Sequence, residues 1–402
     1  MRDTNRRLRV AYVSDGLYAF GRWPGHRRFH ELAGRLSDRH EVHYFTWHLW
    51  DGPADISDGG VRLHGDTDPP ARYQAGSPLT SRDELRFARR LLPAIEGRPF
   101  DVIDCAATPR LPFYATWLGA WLAESPVVAT WSEFDDNSDQ PAGGQGARTR
   151  WPHGLSSRIR RLGRRHVAAT TEVASSLVRA GIPPDKVRVV ANGLELEDFE
   201  QAPKSPVECD VVTLGRLVRE KRVDLVIEAV SRLRPSLPTV RCLVIGDGPE
   251  RRALEELVAA RGLREHVWFV GDASGTEKMS LLKGSTVVVV TEPDEAFGVA
   301  TFEGQAAGLV PVVVRSPDRA TPAMIHDGVD GLLCEPTAEA LAMALASLLG
   351  DPFRIALMRA AALEAVRRRD WQWISRQMET VYLEAARPGE SVEGRARRLS
   401  WR

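Results

Sequence analysis

At 402 residues the chain is too long for one ordinary core and predicts two domains. Its 43% hydrophobic and 27% charged content fits a soluble globular protein and excludes a disordered one. With 54 basic and 54 acidic residues the balance gives no hint of nucleic acid, and the longest apolar runs are strand-sized, too short to span a membrane.

The N-terminal MRDTNRRLRVAYV is basic but lacks a long apolar core, so it reads as a strand entry and not as a signal peptide. From there short apolar strands alternate with helical runs. LRVAYVS (8–14) leads to a helix near 25–37, EVHYFTW (41–47) to one near 82–96, and FDVIDC (100–105) to one near 110–123. PVVATW (126–131), HVAATT (166–171) and KVRVV (186–190) complete this first series. EQAPKSPVE (200–208), with two prolines, reads as a linker. A second series follows: CDVVTLG (209–215), a helix over 221–234, TVRCLVIG (239–246), a helix over 249–261, HVWFVG (266–271), STVVVVT (285–291), LVPVVVR (309–315) and GLLC (331–334). Such alternation builds α/β domains, here two doubly wound parallel sheets, over 1–200 and 201–370. The run WQWISRQMETVYLEAA predicts a final helix, 371–388, that crosses back onto the first domain. The polar tail 389–402 and the glycine-rich 138–154 are expected to be mobile. Cys105, Cys209, Cys242 and Cys334 are scattered and form no CxxC, which points away from disulfides and zinc and toward the cytoplasm.

Open parallel sheets bind ligands at the carboxyl ends of their strands, so the chemistry is sought in the strand-to-helix loops. After 209–214 comes GRLVREK, where Gly215 permits a turn and Arg216 and Lys221 offer two cations suited to a diphosphate. A solvated basic loop would look the same. VIGDGPE is a tight turn with Pro249 at a helix start. The third loop, TEPDEAFGVATFEGQ, carries Glu295 and Glu303 eight positions apart, with Phe297, Gly298 and Val299 where strand gives way to helix. Gly298 allows a close backbone approach, and the free amides of the following helix suit a phosphate. A carboxylate such as Glu303 suits the vicinal diol of a sugar. A helix-capping acid and an exposed helix glutamate give the same letters.

GRL…K, GDGP and E-x7-E of the form E-A-F-G…E, in this order and after Asn192-Gly193, resemble the retaining glycosyltransferases of GT-B fold, in particular family 4, the glycosyl transferases group 1. The resemblance is strongest over 209–336. It implies two Rossmann-like domains facing a cleft, with acceptor bound by the first and donor by the second. It implies a nucleotide-diphosphate sugar, UDP- or GDP-linked, as donor and a small polar or natural-product molecule as acceptor. Arg216 and Lys221 would hold the diphosphate, Glu295 the hydroxyls of the transferred sugar and Glu303 the ribose. Phe297, Gly298 and Val299 would contribute backbone contacts, and Val270 and Gly271 would line the base pocket. Of these, Arg216, Lys221 and Glu295 are the expected catalytic set. Gly25 would keep half of the Gly-Gly pair that reaches the donor phosphate in the family.

The first half departs from the family. Aligned on Thr130-Trp131, the histidine that lies beside the donor sugar is Ser132 here, followed by Glu133. A sugar altered near C6 would fit such an exchange. Two other readings are a donor-binding protein that has lost catalysis and a sugar-nucleotide epimerase. Glu133 and Asp135, with Asp136, would serve the sugar or acceptor pocket, form a divalent-metal motif, or belong to an ordinary loop face. Because the second domain already supplies cations, no metal and no other cofactor is expected. His26 and His30, four apart, lack a third ligand, and His153 is a weak substitute for the missing imidazole. The five arginines of SRIRRLGRRH (157–166) suit an anionic lipid or a solvated helix face. No stable membrane insertion and no nucleic acid partner are expected, and the sequence leaves the oligomeric state open.

Overall fold

A computed structural model describes residues 6–17, 24–74, 79–108, 110–132, 162–292, 298–315 and 325–387, with the backbone alone at 24–26, 72 and 74. Among them the chain forms two units: residues up to Asn192 together with those from Ile374 onward, and Gly193–Trp373.

The first unit is built on an eight-stranded sheet: β1 (Arg9–Val13), β2 (Glu41–Phe45), β3 (Asp55–Asp58), β4 (Val61–His64), β5 (Val102–Ala106), β6 (Val127–Trp131), β7 (Arg165–Ala168) and β8 (Val187–Val189). Their order is β3-β4-β2-β1-β5-β6-β7-β8. β6 is buried throughout and β1 and β5 nearly so, as expected for strands covered by helices on both faces. The helices Pro24–Ser37, Ser81–Glu96 and Arg110–Leu122 match the sequence reading closely. β4 and β3 are both absent from that reading, and β3, pairing with β4, is the one antiparallel strand among the described residues. Three of its four residues, DISD, are exposed, so an edge strand of this kind carries no apolar signal.

The final helix, Trp371–Ala385, supplies the first unit with Met378, Val381 and Tyr382, all buried. The Tyr382 hydroxyl donates to Asp104 Oδ2 at 2.5 Å, and Thr130 Oγ1 donates to Asp104 Oδ1 at 2.6 Å. The Tyr12 hydroxyl lies 3.2 Å from that of Tyr382. Burial pushes the Asp104 carboxyl up to about 6, against the pull of these donors and of the nearby Arg28 guanidinium. Arg28, itself buried, donates to the carbonyls of Val190 and Ala191 at 2.9 Å and to Asn192 Oδ1 at 3.1 Å. Glu379 on the same helix accepts from Arg39 at 2.6 Å and meets His40 at 2.9 Å.

The second unit carries a six-stranded, wholly parallel sheet: β9 (Cys209–Leu214), β10 (Cys242–Ile245), β11 (Val267–Gly271), β12 (Ser285–Val290), β13 (Val310–Val314) and β14 (Leu332–Cys334). The order is β11-β10-β9-β12-β13-β14. Helices Val223–Leu233 and Ala338–Leu349 cover one face with Leu225, Val226, Leu341 and Leu345. A Cβ on Gly193 would lie 2.5 Å from the Trp371 ring, so the glycine of the Asn-Gly pair makes room for that indole. The segment 200–208, read as a linker, is part of this unit. Lys283 donates to the carbonyls of Phe199 (2.9 Å) and Ala202, and Ser205 N donates to Ser280 O at 3.1 Å. Its prolines interrupt the periodicity without freeing the chain.

All four cysteines are buried and free. Among the described residues no single helix is long and apolar enough to cross a membrane.

Replacing Tyr382 by Phe leaves the buried Asp104 one donor short. The loss is expected to be about 1–3 kcal/mol of stability at neutral pH. Asp104 binds its proton more readily folded than unfolded, so its contribution falls as pH rises from its ordinary range through about 6. Tyr382→Phe raises that threshold further, and denaturant titrations should show a smaller penalty at about pH 4, where the carboxyl is protonated in both proteins.

Candidate functional site

The carboxyl edge of the second sheet is assembled by glycines. Gly215, after β9, has φ +134°, and a Cβ on Gly246, after β10, would lie 2.0 Å from the Gly215 carbonyl oxygen. A Cβ on Gly248 would lie 2.3 Å from the Leu217 oxygen. Backbone bonds close the same contact: Gly215 N to Ile245 O (2.9 Å), Leu217 N to Asp247 O (2.9 Å), Glu250 N to Leu217 O (3.0 Å) and Gly246 N to Gly271 O (2.7 Å). The three loops therefore lie backbone on backbone, a packing open only to residues without a side chain. Asp247 accepts from Gly248 N at 2.7 Å and from Arg251 at 3.0 Å, which holds its carboxyl below the usual range.

Lys221 ends a short 3₁₀ turn, and Arg222 after it takes left-handed φ +48° before the helix Val223–Leu233. A non-glycine residue in that region stores strain, so the turn is held by its surroundings. Two contacts from the end of β12 do this: the Thr291 hydroxyl donates to the Lys221 carbonyl, and the Lys221 ammonium pairs with Glu292. Arg216 is exposed and forms no ion pair among the described residues.

Gly298, buried and at φ +62°, precedes the helix Val299–Ala306. Gly304 in that helix sits where a Cβ would strike Val288 at 2.3 Å, so the helix lies directly on β12. Ala300 in its first turn, Gly215, Lys221, Thr291 and Glu292 line one narrow pocket. Its free volume, about 10 Å³, holds no more than one water, so a ligand as large as a diphosphate would rest at its mouth. Glu303 is almost fully buried and pairs with Lys278 Nζ at 2.6 Å. Val270 is exposed at the end of β11, and Gly271 takes φ +78° beside Arg251.

The structure thus brings Lys221 and the amino end of the Gly298-led helix to one pocket, with Arg216 beside Gly215 and with Gly271 fastened to Gly246. Glu295 and Phe297 lie outside the described residues, as do Glu133 and Asp135. Ser132 is half-buried directly after β6, and Gly25 lies in the first turn of the helix Pro24–Ser37. His153 and residues 157–161 also lie outside the described residues. Among the described residues no cluster of three or more His, Cys, Asp or Glu side chains could hold a metal ion. Sequence reasoning missed Glu292 and Lys278. An acid placed directly after the Val-rich run of β12 was a signal for the first; nothing marked the second.

Residues 195–368 match the family model of glycosyl transferases group 1, and residues 25–193 match that of the glycosyl transferase 4-like domain. The chain is similar to a phosphatidyl-myo-inositol mannosyltransferase of Mycobacterium leprae, 28% identical over 80% of this chain and 82% of the relative. A D-inositol 3-phosphate glycosyltransferase of Thermobispora bispora is 30% identical over 55% of this chain and 56% of the relative, so that match spans little more than half of each. Among solved structures, HepE of Anabaena in complex with UDP superimposes with a TM-score of 0.67 at 16% identity, covering 94% of this chain and all of that one. A glycosyltransferase of Rickettsia africae gives 0.69 at 17% identity, over 95% of this chain and all of that one. At such identity the structural likeness is one of fold.

A Gly246→Ala variant forces a methyl group into the Gly215 carbonyl at a backbone angle that side chains rarely adopt. Overpacking of this kind typically costs about 1–3 kcal/mol. A lowered melting temperature of the purified variant is the expected outcome, and an unchanged one would show that the loops separate freely.

Proposed function

Because this chain belongs to the glycosyl transferases group 1 and has the two parallel-sheet units of the GT-B fold, we propose that it transfers a sugar from a nucleotide-diphosphate donor to a small polar acceptor, with retention at the anomeric carbon. The donor is UDP- or GDP-linked. Inositol, which figures in the names of two relatives, is the first acceptor to assay, and natural-product cores are the next.

One observation carries this reading: Lys221 and the first turn of the helix Val299–Ala306 line the same pocket at the carboxyl edge of the sheet. An ammonium and a helix amino end both favour an anion. As the bond from sugar to phosphate breaks, negative charge grows on the diphosphate, and preorganised cations and dipoles stabilise it by a few kcal/mol each. Arg216, exposed and without an ion pair among the described residues, serves the same charge with its planar fork. Lys221 exchanges part of its pairing with Glu292 for the phosphate. Glu295 holds the sugar hydroxyls. Glu303 takes the ribose, with Lys278 fixing its carboxylate. Retention follows from attack on the face that the diphosphate leaves, with a phosphate oxygen taking the acceptor proton. Since fixed cations already meet the developing charge, no metal is required.

Ser132 motivates a second reading. A hydroxyl cannot act as the imidazole of relatives would, so the donor is a sugar altered near C6, or else the chain binds donor and transfers slowly. Comparing kcat/KM for plain and C6-modified donors separates the two, since one substituent in a fitted pocket is worth about 1–3 kcal/mol.

Arg216→Ala and Lys221→Ala should each weaken UDP or GDP binding about tenfold or more, as expected for a lost hydrogen bond to a charged group. Calorimetric titration with the nucleotides is the measurement, and parental affinity in both variants would reject the clamp. Activity should also survive EDTA, with the α or β configuration of the product, read by NMR, matching that of the donor. Loss with EDTA and recovery with Mg²⁺ or Mn²⁺ would instead favour a metal at Glu133 and Asp135.

A further inference from the structure

The first unit contains a second and larger cavity, of about 770 Å³, that the transfer reading does not use. One wall is the exposed face of the helix Ser81–Glu96, with Arg82, Arg86, Arg89 and Arg90. Their spacing of four, seven and eight sets all four guanidiniums on one side of the helix. None of them forms an ion pair among the described residues, although the acids Asp66 and Asp68 also line the cavity. Four arginines against two aspartates leave a formal excess of two positive charges.

The floor gives an independent sign. Thr67 is more than nine-tenths buried and lines the cavity, and its hydroxyl has no hydrogen-bond partner among the described residues. The Nε2 of His48, another lining residue, is likewise buried and unpartnered, while its Nδ1 faces Asp68 at 3.4 Å. Leaving a buried polar group unpaired is costly, and such a group is normally met by a ligand or water. The floor is also rigid. A Cβ on Gly65 would lie 2.8 Å from both His48 Cα and the Trp50 ring, and His48 N donates to the Thr67 carbonyl at 2.8 Å.

We propose that this cavity is a binding site for an organic phosphate monoester, free or as a lipid headgroup. Guanidiniums match phosphate oxygens in charge and in fork geometry, and a hydroxyl on the floor supplies a further hydrogen bond. A single water could satisfy Thr67, but it gives no reason for the excess of two positive charges around it. The volume lies in the range of small-molecule sites and exceeds what an inorganic ion fills, so the ligand carries a polar body beside its phosphate. The site lies within the first unit and its readout is binding, so it stands or falls independently of the donor clamp.

The test is calorimetric titration of the full chain with glycerol 3-phosphate, glycerol and inorganic phosphate, beside co-sedimentation with phosphatidylcholine vesicles with and without phosphatidic acid. Glycerol 3-phosphate should bind more tightly than inorganic phosphate, and glycerol not at all. The double variant Arg86→Gln/Arg89→Gln should lose about tenfold or more in affinity with its melting temperature kept, because these side chains are exposed and form no ion pair among the described residues. Thr67→Val should weaken binding without lowering stability, since it deletes an unpartnered hydroxyl at constant shape. Binding to phosphatidic acid vesicles alone, lost in the double variant, would support the site and identify the lipid as its source. No binding of any phosphate probe, or binding that survives both sets of substitutions, would overturn it.

Discussion

The second unit depends on a steric constraint at one edge of its sheet. Carbonyl oxygens of the loop after β9 occupy the positions where side chains at 246 and 248 would begin. Without that contact the loops after β9, β10 and β11 would stand apart. Lys221, Arg216 and Gly271 would then be three unrelated loop residues. With it, they share a frame made of backbone, which carries less rotamer freedom than any side chain. The Thr291 hydroxyl and the Glu292 carboxylate extend the frame to β12, and Gly304 against Val288 fixes the helix whose amino end completes the pocket. The groups suited to meeting an anion are thus set in advance of any ligand, which is what electrostatic stabilisation of a leaving group needs.

The first unit is held differently. Its centre is polar: a buried carboxyl, two tyrosine hydroxyls, a threonine and an arginine whose guanidinium gathers the carbonyls that follow β8. Replacing such a network by apolar side chains is often neutral for stability. What the polar version adds is direction. Only one rotation of the last helix brings a hydroxyl to Asp104 and a carboxylate to Arg39 and His40.

Much of this was legible in the sequence. Strands buried on both faces, such as Ser285–Val290 and Val310–Val314, announce themselves by their runs of valine, and the returning helix is marked by its aromatic residues. The glycines of the GDGP turn were legible as a turn, yet their reason was not. Nothing in the letters says that Gly246 meets Gly215, because that contact joins two loops far apart in the chain. The same holds for Lys278 and Glu303, which approach each other from separate helices. The edge strand Asp55–Asp58 escaped because an exposed polar strand has no pattern of its own. In the arginine-lined cavity only half of the site was written locally. The four arginines stand close together in SRDELRFARR, a stretch read only as a helix, while Thr67 and His48 come from loops that only the fold brings to it.

The last helix also bears on the order of synthesis. The second unit is continuous, from Gly193 to Trp373, and can close as soon as it has left the ribosome. The first unit begins earlier and is finished later: Tyr382 reaches Asp104, 278 positions back along the chain. Until then the nascent unit holds a desolvated carboxyl that lacks one donor and an apolar groove that lacks its helix. The portion translated first is therefore the portion completed last, and a ribosome stalled anywhere within the second unit leaves the first one unsealed.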